Sequence, residues 1–496
     1  MLPPMHQELA EIAQAALAEL RDLPGVDFAD VRVTENRQDS LALRNREVET
    51  VSSRTSSGVG VRVLRRGAWG FAALPEPSAQ TAASAARTAA DIAAGVARAQ
   101  PAPVRLAEEE PVRGDYETPT ALDPFSVPVE RRIADLERAL EVLRDDRQGS
   151  PVKSASAFME WARSRKAYAN TEGSRTQQTL TFGGAGLRIV VADESGALTR
   201  STPMSLDGGL SAGGYEVIDG LNLQTRASEA RELALALLKA PPCPAKSTTL
   251  ILDTPQLALQ IHESCGHPTE CDRALGDEVS LAGASFLTPD RLGRFSYGSP
   301  LVNMTADSIS PGGLGTFGWD DEGVPARRTP LVSRGVFVGY LSSRETAAAL
   351  GLGRSAGCMR AESWARPPIS RMINVSLEPC PDGPSSLDEL IADTKDGIVM
   401  DQNVSWSIDD LRLNFQFGCE AAWEIQNGKR GRLLRNPIYT GSTPAFWHSC
   451  DAIGNERAWK LWGLASCGKG DPIQGMAVGH GCAPSRFRGV QVGSSQ

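Results

Sequence analysis

The spacing of apolar residues divides the chain into two halves with different patterns. In the first half, apolar positions recur at helical spacing over residues 7–20 and again after Pro128. Between these two predicted helices, apolar and polar residues alternate as they do in half-buried strands. Four such strand-like runs begin at Asp30, Ser40, Gly58 and Trp69. The first half therefore predicts a mixed α/β arrangement.

The segments that link these elements suggest where the first half ends. An alanine-rich helix is predicted over residues 78–99, and the proline- and glutamate-rich residues 100–124 are predicted to form an irregular connection. Further strands are expected from about 155 to 191, and a helix over 227–238 stops at a cluster of prolines. We place a domain boundary in this cluster, which separates an N-terminal α/β domain, residues 1–240, from a C-terminal domain, residues 246–496.

Beyond Lys246 the pattern changes to short strands punctuated by glycine. The clearest hairpin has alternating Leu413, Phe415 and Phe417 and the turn pair Asn427-Gly428. Helical spacing is scarce in this half. The sequence as a whole predicts an α+β fold, in which a β-rich C-terminal domain carries one helix with histidines.

Composition and charge narrow the function classes. The formal net charge is −9, from 51 basic and 60 acidic residues, so no electrostatic feature favours nucleic-acid binding. No stretch is apolar enough to predict a membrane span, and the N-terminus lacks the pattern of a signal peptide. The nine cysteines are an odd number without framework spacing, which favours free thiols or metal ligation in a cytoplasmic protein.

The segment QIHESCGHP contains two histidines, His262 and His267, at a spacing close to that of a zinc-protease helix. In H-E-x-x-H motifs the histidines are four residues apart, on one helix face. A spacing of five places them about 140° apart on a straight helix. Gly266 and Pro268 both disfavour continued regular helix. We therefore expect the helix to loosen near Gly266, through a C-cap or a π-type turn that returns His267 to the side of His262.

The start of this helix is also visible in the sequence. Thr254 is predicted as the N-cap, and Pro255 suits the first helical position, where its missing N–H costs least. A catalytic zinc usually takes three protein ligands. The candidates for the third ligand include the remaining cysteines, especially Cys265, Cys271 and Cys467. Cys467 is followed two residues later by Lys469, a cation that would favour the thiolate.

Other residues have a structural interpretation at least as good as a functional one. Three consecutive acidic residues, Asp320, Asp321 and Glu322, are a candidate cation site. Such a run is more typical of a turn. Arg371 and Asn374 would either orient a substrate backbone or stabilise the fold. His480 would either polarise a carbonyl group or be structural. Three tryptophans are expected in the core or at an interface: Trp447, Trp459 and Trp462.

Four segments, in this order, resemble the TldD/PmbA zinc metallopeptidases, and in particular their catalytic TldD-type branch. They are HESCGHPTECDRALGDEVSLAGASF at 262–286, DDEGVPARRTPLVSRGVFVGYLSSRETAAALG at 320–351, RPPISRMINVSLEP at 366–379 and ASCGKGDPIQGMAVGHG at 465–481. The N-terminal half resembles the family only in layout. Cysteine at 271 and 380 departs from the glycine expected there, and Cys265 replaces a small or aliphatic residue.

The resemblance implies a complete site. His262, His267 and Cys467 would bind Zn²⁺, and Glu263 would accept a proton from the zinc-activated water. The implied substrates are unfolded or extended peptides. The implied assembly is a dimer, either of two copies or with a non-catalytic PmbA/TldE-like relative.

Two rival hypotheses remain open at this stage. A regulatory or binding protein would hold a structural zinc in a closed shell, with Cys265 or Cys271 as the additional ligand. Another zinc hydrolase would act on small amides and not on extended peptides.

Overall fold

The computed structural model describes residues 4–194, 196–281 and 283–495. In these ranges the α-helices are α1 (Pro4–Leu20), α2 (Ala79–Val96), α3 (Val129–Leu143), α4 (Glu216–Leu221), α5 (Leu223–Leu237), α6 (Thr254–Ile261), α7 (Cys271–Leu275), α8 (Arg344–Leu350), α9 (Leu387–Ala392) and α10 (Thr443–His448). A π-helical turn spans His262–Gly266, and 3₁₀ turns span Pro124–Ser126, His267–Thr269 and Pro289–Arg291.

The strands of the N-terminal half are β1 (Val26–Arg44), β2 (Glu47–Arg65), β3 (Ala68–Pro75), β4 (Arg113–Glu117), β5 (Val152–Asn170), β6 (Arg175–Asp193), β7 (Gly196–Thr202) and β8 (Gly209–Ala212). Those of the C-terminal half are β9 (Lys246–Leu252), β10 (Met304–Asp307), β11 (Arg328–Ser333), β12 (Val336–Phe337), β13 (Met359–Arg360), β14 (Ile369–Ser370), β15 (Asn374–Leu377), β16 (Asp396–Ile408), β17 (Asn414–Gln426), β18 (Lys429–Leu434), β19 (Pro437–Ser442), β20 (Cys450–Ile453), β21 (Lys460–Lys469), β22 (Gln474–Cys482) and β23 (Ser485–Ser494).

The N-terminal half is built on an eight-stranded sheet of order β3-β2-β1-β5-β6-β4, with β7 and β8 also paired to β6. The prediction of separate strands at Asp30 and Ser40 is wrong, because both belong to the 19-residue strand β1. The polar residues between them, 35–39, pair on one side with β2 and on the other with β5. With no glycine or proline to interrupt it, the alternation continues through the polar stretch.

The alternation along β1 gives the N-terminal sheet two different faces. Val31 and Val33 pack beneath α1 and α2, whereas Leu41 and Leu43 pack beneath α3 and α5. These four residues point to the same face of the sheet. Arg32, between Val31 and Val33, is buried on the opposite face, which meets the C-terminal half. One face of the sheet is therefore covered by helices, and the other carries charged side chains into the contact with the C-terminal half.

Residues 100–124 contain more regular structure than the sequence predicted. Within this stretch β4 pairs in parallel with β6, and a 3₁₀ turn follows at Pro124–Ser126. The exposure of β4 alternates, and its stabilising contacts are backbone hydrogen bonds to a strand more than fifty residues away in the chain. A local sequence pattern does not reveal such a pairing.

The C-terminal half contains two larger sheets. Six strands follow the order β12-β11-β10-β15-β22-β21, which leaves β21 at an edge. A second sheet runs β16-β9-β23-β19-β17-β18 and closes on itself, because β16 also pairs with β17. The hairpin predicted at Asn427-Gly428 is confirmed, with φ of 50° and 73° at these residues. The α+β fold class is confirmed too.

The change from one sheet system to the next follows α5, where the chain passes the proline cluster and enters β9. The two-domain division itself stays a prediction. Among the described residues, no helix is long and apolar enough to cross a membrane.

Candidate metal centre

The N-cap of the histidine-bearing helix α6 is one residue earlier than predicted. Asp253, not Thr254, is the N-cap, and its carboxylate accepts a hydrogen bond from the Thr254 N–H at 2.7 Å. Thr254 and Pro255 are thus the first two helical residues. The helix then runs for eight residues into the core, and every one of them is buried.

A π-type turn accommodates the five-residue spacing of the histidines. The His267 N–H donates to the carbonyl oxygen of His262, which closes a turn one residue wider than in an α-helix. The two imidazole rings consequently lie side by side, with centroids 4.8 Å apart and planes at 86°. Of the two devices that the sequence suggested, the structure contains the π-type turn.

The role of glycine in this turn differs from the expected one. Gly266 has φ of −55°, so the left-handed conformation is not used. A Cβ atom at this position would lie 2.1 Å from the sulfur of Met372, so close packing requires the glycine. Nor does Pro268 displace the preceding residue, because His267 keeps right-handed helical angles.

Three donor side chains converge beside this turn. The ligand atoms of His262, His267 and Cys467 all lie within 4.8 Å of one another, and Cys467 Sγ is 3.9 Å from His267 Nε2. All three residues are buried. Cys467 comes from edge strand β21, about 200 residues further along the chain. Of the described residues, only this group of three has the proximity needed to hold a metal ion.

Hydrogen bonds determine which ring nitrogen of His262 faces the group. His480 Nδ1 lies 2.9 Å from the carbonyl oxygen of Val375, which can only accept, so Nδ1 carries the proton. Burial and the neighbouring His262 lower the pKa of His480 well below its ordinary value, so the ring is neutral. Its Nε2 therefore accepts from His262 Nδ1 at 2.8 Å, and the Nε2 lone pair of His262 remains for a metal.

A carboxylate determines which ring nitrogen of His267 faces the group. Glu270 accepts a hydrogen bond from His267 Nδ1 at 3.1 Å, which leaves the Nε2 lone pair directed at the group. Burial would raise the pKa of Glu270, but Lys469 and Arg273 hold it well below its usual range. The carboxylate is therefore charged, and it fixes the tautomer of His267.

The local charge separates Cys467 from the other candidate thiols. Burial opposes its ionisation, but the nearby positive charge, chiefly that of Arg371, lowers the pKa of the Cys467 thiol. By contrast, burial raises the pKa of Cys265 far above its ordinary value and that of Cys271 to about 12. Only Cys467 is both near the histidines and favoured as a thiolate, the form that binds metals.

The cation responsible for this thiolate is not the one expected from the sequence. Lys469 Nζ is held by the carboxylate of Asp272, at 2.7 and 2.8 Å, and by the carbonyl oxygen of Ser370. Arg371 instead donates to the backbone carbonyl of Cys467 and provides the nearby positive charge.

Glu263 lies next to His262 and is also buried. Arg412 Nη1 donates to its Oε2 at 2.7 Å. Arg412 comes from the turn between β16 and β17, where it has a positive φ of 64°. This ion pair fixes the direction of the Glu263 carboxylate from outside the helix.

Models of one protein family match most of this chain. Models for domain 1, the central domain and the C-terminal domain of PmbA/TldA metallopeptidases match residues 29–93, 122–238 and 245–494. The chain belongs to the TldD/PmbA metallopeptidase family. The expectation raised by the four sequence segments is thereby confirmed.

Relatives of this TldD/PmbA member match it over nearly its full length. A metalloprotease of Methanocaldococcus jannaschii is 28% identical over 459 residues, which is 92% of this chain and 95% of the relative. A metalloprotease TldD homolog of Haemophilus influenzae is 24% identical over 95% of this chain and 93% of its own. The solved structure of TldE from Thermococcus kodakarensis has a TM-score of 0.71 at 15% identity, covers 97% of this chain and 99% of its own, and shows a shared fold.

The donor set of this TldD/PmbA member fits a metal ion on its own chemistry. Two neutral imidazoles and one thiolate-favoured cysteine are the ligands that borderline-soft metals prefer. Both lone pairs face the thiol because hydrogen bonds have committed the other ring nitrogens.

Sequence reasoning missed several residues that shape the site. Glu270 stands three residues after His267, a spacing that brings side chains together on a helical turn and so carried a usable signal. Arg412 carried none, since its contact with Glu263 joins residues 149 positions apart. His480 was singled out, but its two ring nitrogens bind Val375 and His262 and neither is available to a substrate.

The remaining candidates have structural roles. Asn374 binds the Gly315 N–H and the Thr316 hydroxyl within the fold, and the buried Arg371 binds the backbone of β21 and β22 in addition to its effect on Cys467. The tryptophans belong to or pack against the C-terminal core, as expected. The acidic residues Asp320–Glu322 accept hydrogen bonds from backbone N–H groups and from basic side chains of the N-terminal sheet.

Proposed function

We propose that this protein is a zinc-dependent peptidase in which His262, His267 and Cys467 bind the ion. The observation that carries the proposal is the convergence of their three donor atoms within 4.8 Å. Two nitrogens and one sulfur favour Zn²⁺ over magnesium or calcium, which prefer oxygen ligands. Three protein ligands leave a coordination position open, as in catalytic zinc sites.

Bound zinc would supply a Lewis acid that brings the pKa of a water molecule towards neutrality. Glu263, adjacent to His262, is the group we assign as general base. Its carboxylate accepts the proton of the water that attacks the peptide carbonyl, and then returns it to the leaving amine. Arg412 holds the carboxylate in a single direction at 2.7 Å, which makes Arg412 a positioning residue for the base.

Extended peptides are the substrates that we infer. Cys467 lies on β21, which is an edge strand of its sheet. A peptide added to such an edge is read through its backbone and must be extended. A cavity of about 270 Å³ borders β21 and β22 near Ala465 and Met476, and its wall continues onto the N-terminal sheet.

The test of the base assignment is Glu263→Gln in zinc-loaded protein. We expect unchanged zinc content and a fall of about 10²- to 10⁴-fold in cleavage of a fluorescence-quenched, unstructured peptide. Glu137→Gln, an exposed change on α3, is the matched control and should cleave normally. Turnover near the wild-type rate in Glu263→Gln would exclude Glu263 as the base.

The two rival functions make different predictions. A structural zinc needs a fourth protein ligand, and in the described residues neither Cys265 nor Cys271 joins the group of three. A small-amide hydrolase would cleave aminoacyl anilides but no extended peptide. Zinc-loaded wild-type protein that cleaves neither class of substrate would favour the structural role.

We infer that the active assembly is a dimer, of two copies or with a non-catalytic relative similar to TldE. The likeness to the solved TldE fold supports the second arrangement. Light scattering after size exclusion, on the chain alone and mixed with such a relative, distinguishes the two. A monomer in both samples would overturn the inference.

A further inference from the structure

A second cavity lies at the opposite end of α6 from the histidines. It encloses about 260 Å³, and its wall includes Thr254 and Pro255, the first two residues of the helix. Helix α5 and strands β7, β16 and β21 contribute the other walls used below. Since a helix rises 1.5 Å per residue, His262 is about 12 Å further along the axis. We refer to this space as the α6 cavity; it is separate from the metal centre.

The wall of the α6 cavity contains buried polar atoms without hydrogen-bond partners. They are Oγ1 of Thr254, Oδ1 of Asp401, Nη1 of Arg200 and the indole N–H of Trp462. Thr254 is 1% exposed and Asp401 is 8% exposed. Buried polar atoms in native proteins are nearly always paired with protein, water or a ligand, so these atoms can form hydrogen bonds to an occupant of the cavity.

The charges around the cavity have both signs. Arg200 bonds the second oxygen of Asp401, and Asp253 caps the helix beside it. Burial and the neighbouring Asp401 raise the pKa of Asp253 to about 6, as expected where two carboxylates lack a sufficient cation.

Basic side chains line the same space. Arg226 comes from α5 and Lys460 from the start of β21. A bare metal cation would be repelled by these two side chains, and a simple anion would be repelled by the acidic pair. A molecule with one charge of each sign is compatible with both.

We propose that the α6 cavity binds a small zwitterion, a free α-amino acid or a dipeptide. Its ammonium group would donate to Asp401 Oδ1 and Thr254 Oγ1, and its carboxylate would pair with Lys460 and Arg226. The indole N–H of Trp462 would donate to the same carboxylate, and Leu233 would contact an apolar side chain. The volume lies at the small end for ligand pockets, which suits a molecule of this size. The proposal does not depend on peptidase activity.

Titration calorimetry with L-leucine on zinc-loaded wild-type protein is the first test. We expect binding at millimolar concentration or below. N-acetyl-L-leucine lacks the ammonium charge and L-leucinamide lacks the carboxylate, and each should bind at least about tenfold more weakly, as the loss of one charged hydrogen bond predicts. No binding of L-leucine, or equal binding of L-leucinamide, would overturn the zwitterion assignment.

Variants locate the bound molecule. Lys460→Met should raise the Kd for L-leucine about tenfold, while Lys429→Met, an exposed lysine on β18 outside the cavity, should leave it unchanged. Cys467→Ala should bind L-leucine normally, because the metal centre is not involved. Unchanged affinity in Lys460→Met, or loss of affinity in Cys467→Ala, would place the ligand elsewhere and refute the proposal.

Discussion

The metal centre and the acidic triplet, Asp320–Glu322, are both buried clusters of residue types that bind metals, yet only one has donor atoms to spare. At the triplet, Asp320 accepts three backbone hydrogen bonds, Asp321 binds Lys166 at 2.9 Å, and Glu322 lies 3.3 Å from Arg62. At the metal centre, hydrogen bonds occupy one nitrogen of each histidine and leave the other facing the thiol. Uncommitted lone pairs, and not the density of acidic or imidazole groups, distinguish the candidate metal site.

The two clusters also serve different parts of the fold. The triplet joins the charged face of the N-terminal sheet to the C-terminal half through Lys166 and Arg62. The metal centre lies within the C-terminal half, where Glu270 and Lys469 are fully buried behind the histidines. Breaking the acidic triplet should therefore lower the free energy of unfolding, and breaking the metal centre should lower the zinc content.

The largest expected effect is the loss of zinc in Cys467→Ala. Removing one of three ligands should leave the purified variant with little or no zinc by elemental analysis, against about one ion per wild-type chain. Asp321→Asn is the matched change in the acidic triplet and should retain the full metal content. Zinc retained in Cys467→Ala would remove Cys467 from the ligand set, and zinc lost in Asp321→Asn would show that the acidic triplet also contributes to metal binding.

Arg62→Met should have its effect on folding and not on metal. The change leaves the carboxylates of Asp30 and Glu322 buried without this partner, which costs about 3–5 kcal/mol of the free energy of unfolding. Arg46→Met, which breaks the exposed pair with Asp146, should leave the urea midpoint unchanged. The zinc content of both variants should equal that of the wild type. A wild-type midpoint in Arg62→Met would show that the buried network does not stabilise the contact between the halves.

The smallest effect is expected from Glu270→Gln. The amide can still accept from His267 Nδ1, but it loses the charge that Lys469 and Arg273 stabilise. Zinc affinity should fall about 10- to 100-fold, as for other carboxylates that orient a ligating histidine. Competition with a chromophoric chelator measures the zinc affinity. Glu278→Gln, in the same segment of residues 262–286, is the control. Unchanged affinity would show that the carboxylate does not tune the site.

Local patterns predicted the elements whose stability is local. Helical spacing located α3 and α5, and Asn427-Gly428 marked a hairpin because both residues tolerate positive φ. The pairing of β4 with β6 and the closure of β16 onto β17 depend on residues distant in the chain, which no local periodicity encodes.

The same distinction applies to the site. The histidine pair and Glu263 follow from one short motif, and the need for a wider turn follows from helix geometry. Which hydrogen bond fixes each imidazole does not follow, because His480 is 218 residues from His262. The basic residue beside the thiolate was predicted as Lys469, but Asp272 captures that side chain and Arg371 takes its place.

The π-type turn also constrains how this site can change. Deleting Ser264 would restore the familiar four-residue spacing and close the turn to the width of an ordinary α-helix. It would also remove the hydroxyl that accepts from the indole N–H of Trp447 and the carbonyl oxygen that accepts from the hydroxyl of Tyr297. The five-residue spacing and the two buried aromatic side chains that bind Ser264 can therefore be inherited or redesigned only together.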